Sequence, residues 1–248
     1  MFLLAFLLSP GDVAVKAHAM LHGLCAQRPS HSLLIGGNIL PLDARMTGIY
    51  LGAATSGVWL LAAGRIRATA RLPRSTITLL GLFVAAMTLD GLNALLVDLG
   101  APHAYQPSNV LRLITGILAG TALGIAIVHL QAISLWSRGQ RRQAVVSRPA
   151  EVIAPLAASG ALGGVALSGL PTLYEPFAIG LVVATVAVFW TLGVVLLALV
   201  SNRAWRYQTT RDVAPLASIA LVVTILTIAG LAAVRYVAEH QFGLPKLT

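Results

Sequence analysis

Hydrophobic positions fall into six long runs, at about residues 45–64, 76–98, 110–136, 152–170, 177–201 and 213–237, divided by short polar stretches. As a helix, each run is long enough to cross about 30 Å of hydrocarbon. None alternates with the two-residue period of a lipid-facing strand, so the pattern predicts an all-α polytopic membrane protein of about six transmembrane helices, not a barrel. Asp43, Asn109 and Asp212 stand before the first, third and sixth runs, where each is a candidate N-cap.

The N-terminal stretch reads differently. Residues 1–8 are apolar but are followed at once by Ser9, Pro10, Gly11 and Asp12, too soon for a span. No charged n-region precedes them, which disfavours a cleaved signal peptide. An additional span over 2–24 would bring Asp12 and Lys16 near its middle, at a cost of several kcal/mol. Between Asp12 and Leu24 the residues Val13, Ala17, Met20, Leu21 and Leu24 share one side, which predicts an interfacial helix with Lys16 exposed. Residues 33–42 are apolar but short and carry Gly36, Gly37 and Asn38, which predicts a re-entrant or surface loop. The chain thus divides into an interfacial helix and motif loop over 1–44, a three-helix core over 45–136, and a basic loop with three further spans over 137–248.

Composition agrees with the pattern and charge adds an orientation. The chain is 57% hydrophobic and 10% charged, with a mean hydropathy of +0.84, too apolar for a soluble globule of this length. The net charge of +9 suggests nucleic acid until the arginines are located. Arg65, Arg67, Arg71 and Arg74 follow the first run; Arg138, Arg141, Arg142 and Arg148 follow the third; Arg203, Arg206 and Arg211 follow the fifth. The two intervening loops, 102–106 and 171–176, hold no Lys or Arg. This alternation predicts basic loops in the cytoplasm, anchored on anionic lipid, and both termini outside; the expected location is a bacterial cytoplasmic (inner) membrane. Nucleic acid is not an expected partner; the bilayer is.

Two stretches repeat. Arg45-Met46-Thr47-Gly48-Ile49-Tyr50-Leu51-Gly52 and Arg112-Leu113-Ile114-Thr115-Gly116-Ile117-Leu118-Ala119-Gly120 each place an Arg shortly before TGIxxG at the start of a span. Gly116, Gly120 and Gly124 have the small-xxx-small spacing of close helix packing, and Gly160, Gly163 and Gly164 add small residues in the fourth run. Such stripes serve packing within one bundle or docking of another membrane subunit.

The second run carries Asp90, Asn93 and Asp98 in its outer half. An ionisable residue in a span needs a partner or a cavity, and by depth Asp90 has Arg45 or Arg112 nearest. One expectation is a structural polar network of Asp90, Arg45, Arg112 and Asp43 that holds three helices in register. The other is an outer-face site for a lipid phosphate or carboxylate, built from Arg45 and Arg112 beside helix N-termini together with Arg28, Asn93 and Asn109, with Asp90 as a base.

His18, His22 and Cys25 have i, i+4, i+7 spacing and are weak metal-ligand candidates, with Asp43 or His31 able to complete a set. Gly23 within them weakens a helix, so no metal is expected; no cofactor is expected either, and the fold leaves room for a bound lipid. A single cysteine excludes an intramolecular disulfide and a CxxC cage. His129 is expected to bond between helices. GxSxG, HExxH, Walker-type and haem motifs are lacking, as are paired DxxxD carboxylates for magnesium–diphosphate chemistry.

Cys25-Ala26-Gln27-Arg28-Pro29-Ser30-His31-Ser32, Asp43-Ala44-Arg45-Met46-Thr47-Gly48-Ile49-Tyr50-Leu51-Gly52, Asp90-Gly91 and Ser108-Asn109-Val110-Leu111-Arg112-Leu113-Ile114-Thr115-Gly116 follow one another in an order that resembles the predicted membrane proteins grouped as domain of unknown function twenty eighty-five. The resemblance covers about residues 20–125. Where that family has a His and two further Cys, this chain has Ala26, Asp43 and Met46, so a ligand set implied by the family is mostly lost and the Arg, Asp, Asn, Thr and Gly framework is kept. The resemblance implies a membrane fold and names no reaction. The expected function is therefore a non-enzymatic accessory or assembly subunit of a larger membrane complex. The alternative is a membrane enzyme or carrier that binds an anionic lipid or polyprenyl phosphate headgroup.

Overall fold

The structure is a computed structural model and describes residues 6–137 and 140–242. Residues 1–5 of the apolar start and Arg138 lie outside the described residues. Helix α1 (Val13–Leu21) is followed by a hairpin of β1 (Ser32–Ile35) and β2 (Asn38–Asp43), then by α2 (Ala44–Ala62), strand β3 (Ala68–Ala70), α3 (Arg74–Asp98) and α4 (Asn109–Leu135). Strand β4 (Gln140–Ala144), α5 (Ile153–Leu167), α6 (Tyr174–Val200) and α7 (Thr210–Phe242) follow.

Five helical segments are long and apolar enough to cross a membrane: Arg74–Asp98, Asn109–Leu135, Pro149–Leu167, Pro171–Val200 and Thr210–Gln241. The first predicted run is the 19-residue α2, less apolar than the others. Its position explains the difference. Helix α2 packs on α4, α5 and α6, so it faces protein where the outer helices face lipid, and it carries Thr47, Gly48, Gly52 and Ser56 at buried positions. At about 1.5 Å per residue it is still close to the hydrocarbon thickness. Helix α3 leans chiefly on α4, and α7 chiefly on α6.

The bundle has two distinct ends. At the motif end lie α1, the hairpin, the start of α2, the end of α3 and the start of α4. At the basic end β3 pairs with β4, the Trp136 and Tyr207 backbones bridge, and Ser137 N–H donates to the Tyr207 carbonyl, so the three arginine-rich loops are tied together.

Residues 33–42, expected as a loop, form the β1–β2 hairpin. Gly36 and Gly37, at φ 59° and 83°, supply the two positive-φ positions of a primed hairpin turn. Ile35, Leu40 and Leu42 are fully buried against the end of the bundle. The hairpin is pinned there by Gly36 N–H, which donates to the Gly169 carbonyl at 2.9 Å, and by the Tyr174 hydroxyl, which donates to the Ile39 carbonyl at 3.1 Å. Helix α1 is capped by Asp12 and buries Ala17 and Leu21 against α6, β2 and α7. Lys16 is held by the carbonyls of Phe6, Leu7 and Ser9.

Two of the three expected N-caps change. Asp43 caps α2, its Oδ1 accepting Met46 N–H at 2.7 Å. At α4 the cap is Ser108, whose Oγ accepts Leu111 N–H at 3.2 Å; Asn109 turns outward to the hairpin instead. At α7, Asp212 sits inside the first turn and reaches back to accept the N–H groups of Gln208 and Thr209, while Thr209 Oγ1 accepts Asp212 N–H. This is a capping box, in which the acid at the third helical position satisfies donors ahead of the helix.

Candidate functional site

The repeated TGIxxG stretches meet each other. A Cβ built on Gly48, Gly52, Gly116, Gly120 or Gly124 would come less than 3.0 Å from backbone of the opposite helix. Gly48 and Gly52 of α2 face Leu113, Ile117 and Thr121 of α4, and Gly116 and Gly120 face Arg45 and Ile49. The small-residue stripe of the third run is thus consumed within the bundle, letting two backbones touch. In the fourth run Gly163 faces Leu113 and Ile117, while Gly160 and Gly164 meet nothing within 4 Å.

This crossing brings Arg45, at the first turn of α2, against Asp90 of α3. Asp90 is 2% exposed. Its Oδ2 accepts from Arg45 Nη2 at 2.6 Å and from Thr115 Oγ1 at 3.3 Å, and its Oδ1 accepts from the Tyr105 hydroxyl at 2.9 Å. Three elements and one loop therefore converge on a single carboxylate. Tyr105 is set by Asn93, whose Oδ1 accepts the Ala104 and Tyr105 N–H groups at 2.8 and 3.4 Å and whose Nδ2 donates to the Tyr105 carbonyl at 2.8 Å. Burial, and then the bond to Asp90, push the Tyr105 phenol up, so it stays a neutral donor.

Arg112, expected in the same network, does not reach Asp90. Its Nη1 donates to Asn109 Oδ1 at 2.9 Å, and no acid pairs with it among the described residues although it is only 7% exposed. Asn109 in turn donates to the carbonyls of Ser30 and Ser32, tying the start of α4 to the hairpin. Arg28 pairs with Asp98 at 3.3 Å on the surface, and His31 Nε2 lies 3.9 Å from the same acid. Burial, and then the Arg112 charge, push the His31 imidazole down, so its neutral form is favoured beside that arginine. Asp43, also placed in the expected network, serves α2 as its cap and stays apart from Asp90.

The weak metal candidates are occupied separately. His18 Nδ1 bonds its own helix at the Ala14 carbonyl. His22 bonds Gln27 Oε1 through Nδ1 at 3.0 Å and Glu239 Oε2 through Nε2 at 2.9 Å, and stacks on Tyr236 with ring centroids 4.2 Å apart. The ring is thus held between Gln27 and Glu239 by both of its nitrogens. Cys25 is buried, and its Sγ accepts the N–H groups of Gln27 and Asp43 at 3.5 and 3.3 Å. Burial, and then the Asp43 carboxylate, push this thiol up to about 11, so it stays protonated near neutrality. Among the described residues no three His, Cys, Asp or Glu gather to hold a metal. His129, expected to bond between helices, has a buried Nδ1 with no partner among the described residues.

Sequence reasoning missed Gln27, Tyr105, Thr115, Arg235 and Glu239. Gln27 Nε2 donates to the His18 and Pro41 carbonyls and so joins α1 to β2, from a backbone at φ 54°. Thr115 sits inside the repeated TGI, and Arg235 and Glu239 are ionisable residues at i, i+4 near the end of an apolar run; both were signals of a partner. Tyr105 carried none.

Residues 25–126 match the family of predicted membrane proteins DUF2085. No curated protein and no solved structure matches the chain. The matched segment begins at the buried Cys25 and ends just past the Gly124 contact with α2, so it comprises the hairpin, α2, α3 and most of α4. Arg45, Asp90, Tyr105 and Thr115 all lie within it.

Proposed function

We propose that the protein is a non-enzymatic accessory or assembly subunit of a larger membrane complex, with the DUF2085 segment as its rigid scaffold. The observation that carries this reading is the saturation of Asp90: both carboxylate oxygens are taken by Arg45, Tyr105 and Thr115, which suits a latch between helices better than a base waiting for substrate. The wide apolar faces of α3 and α7, with Leu82, Leu89, Ile219 and Leu226 more than half exposed, are compatible with lipid or with subunits. In this reading the membrane is the bacterial cytoplasmic one, the basic end faces the cytoplasm and both termini lie outside; the support is the gathering of the arginine loops at one end.

A second reading rests on Arg112. A buried guanidinium without a carboxylate is costly, and the neighbouring Asn109, His31 and Arg28 would favour an anionic headgroup there. One experiment separates the two. The tagged protein is drawn from its own membrane in mild detergent and weighed by native mass spectrometry. A fixed stoichiometric complex supports the subunit reading. A lone chain that carries a phosphate-bearing lipid, lost in Arg112→Gln, supports the second.

A further inference from the structure

Away from the motif end, α2, α4, α6 and α7 part around an apolar cavity of about 550 Å³. Small residues make the space: Gly57 on α2, Gly124 on α4, Gly180, Ala184 and Ala187 on α6, and Ala217 on α7 all face it. Along α6 its wall runs from Gly180 to Val194, about 21 Å of helix rise, so the space is long and lies along the helix axes. Val58 and Leu61, which line it, are 66% and 59% exposed, so it opens sideways where lipid would be.

Trp190 and Thr191, which also line the cavity, are satisfied by helix carbonyls, and the polar group left free lies toward the basic end. Gln131, about one turn before the end of α4, lines it and makes no hydrogen bond among the described residues. Trp136 and Ile66 close that end; the Trp136 Nε1–H donates to the Ile66 carbonyl at 2.8 Å, and the Arg67 guanidinium lies over the indole, 4.6 Å from the ring centroid. Arg67 forms no ion pair among the described residues. The acid within range of its charge, Asp212, already accepts the Gln208 and Thr209 N–H groups. The three loops at this end contain eleven arginines against two acids, Glu151 and Asp212. An apolar slot with its cationic and amide groups at one end, open to the bilayer, has the polarity of a single amphiphile.

We propose that this cavity holds one hydrocarbon chain of an anionic phospholipid from the leaflet at the basic end, with its phosphate against Arg67 and its glycerol ester level with Gln131. The site is separate from the Asp90 and Arg112 clusters and stands whether or not the subunit reading holds.

The test uses the full chain in nanodiscs of phosphatidylglycerol mixed equally with phosphatidylcholine, released for native mass spectrometry. One phosphatidylglycerol is retained per chain, with a preference of about fivefold over phosphatidylcholine, as one arginine at an anionic surface gives. Because a Cβ at Gly57 or Gly180 meets nothing within 4 Å, the double variant Gly57→Leu, Gly180→Leu fills the slot without striking backbone. It loses the retained lipid at unchanged melting temperature, and Arg67→Gln keeps a lipid but loses the headgroup preference. As a check independent of folding, phosphatidylglycerol with a photoreactive group in its chain labels wild-type α2 and α6 around Gly57 and Gly180. Retention by the filled variant equal to wild type, equal retention of both lipids, a neutral isoprenoid in place of phospholipid, or labelling only elsewhere overturns the proposal.

Discussion

Arg235 and His22 are joined in a closed ring: Arg235 Nη1 donates to the His22 carbonyl at 2.6 Å, Arg235 Nε donates to Glu239 Oε1 at 2.8 Å, and Glu239 Oε2 receives the His22 Nε2–H at 2.9 Å. Arg235 also donates to the carbonyls of Cys25 and Ala26. The last helix therefore closes on the chain segment where the DUF2085 match begins. Helix α7 has 33 residues, about 50 Å, against roughly 30 Å of hydrocarbon, so its final turns carry these charges beyond the apolar layer. Gly23 is part of the same contact, since a Cβ there would strike the backbone of Leu231 and Ala232.

Replacing Arg235 with Gln leaves three carbonyls and Glu239 short of a charged donor. A cost of about 1.5–3 kcal/mol is expected, the range of hydrogen bonds to charged groups. The change should appear as faster hydrogen exchange across residues 13–27 with little effect on α2 and α4. Unchanged exchange in α1 would show that its burial against α6 suffices without the ring.

The α2–α4 crossing predicts a contrast between glycines. Gly120→Ala drives a methyl into the Ile49 backbone and should cost about 1–3 kcal/mol by overpacking. Gly160→Ala, where nothing lies within 4 Å, should be neutral or slightly stabilising because alanine is the better helix former. Thermal melting in detergent of the two variants beside wild type reads the difference. Equal melting temperatures would mean that the helices separate freely.

The spans were legible because length and hydropathy decide them, and the TGIxxG repeats and Asp90 stood out as polar or small residues in apolar runs. The hairpin was not legible. Its alternation is cut by Gly36 and Gly37 after four residues, and period-2 evidence of that length is weak without the bundle end that buries Leu40 and Leu42. Depth along the membrane suggested both Arg45 and Arg112 for Asp90, but depth is one coordinate. The azimuth of each side chain, set by the glycine crossing, gives Asp90 to Arg45 and turns Arg112 to Asn109. The partnership of Arg235 with Cys25 and His22 joins opposite ends of the chain, and local pattern carries no trace of it.

Asp90→Ala should be among the most damaging single changes at the motif end. It leaves the Arg45 guanidinium, 24% exposed, without its counter-charge, and it frees the Tyr105 hydroxyl, while Thr115 keeps the Leu111 carbonyl. Breaking one side of such a pair costs about 3 kcal/mol, at the low end because Arg45 keeps some contact with solvent. The double variant Arg45→Gln, Asp90→Asn should recover part of the loss, since neither charge is then stranded. A double variant as unstable as the sum of the singles would contradict the coupling.

Cys25 gives a prediction that separates a structural thiol from a reactive one. Its folded thiol is raised to about 11 from an ordinary value of 9.0, chiefly by burial. The unfolded chain therefore loses this proton first as pH rises. The stability that the protonated thiol contributes is complete below about pH 9 and is lost progressively between 9 and 11, as linkage requires. At pH 8 the folded protein should resist maleimide or iodoacetamide far longer than the denatured chain, because the thiolate is the nucleophile and the sulfur is covered. Cys25→Ser should keep the fold and remove this alkaline loss, which a pair of melting curves at pH 8 and pH 10 measures. Rapid labelling of the folded protein at pH 8 would instead mark Cys25 as an ionised, accessible thiol and would overturn its place as the acceptor that holds the Gln27 and Asp43 N–H groups.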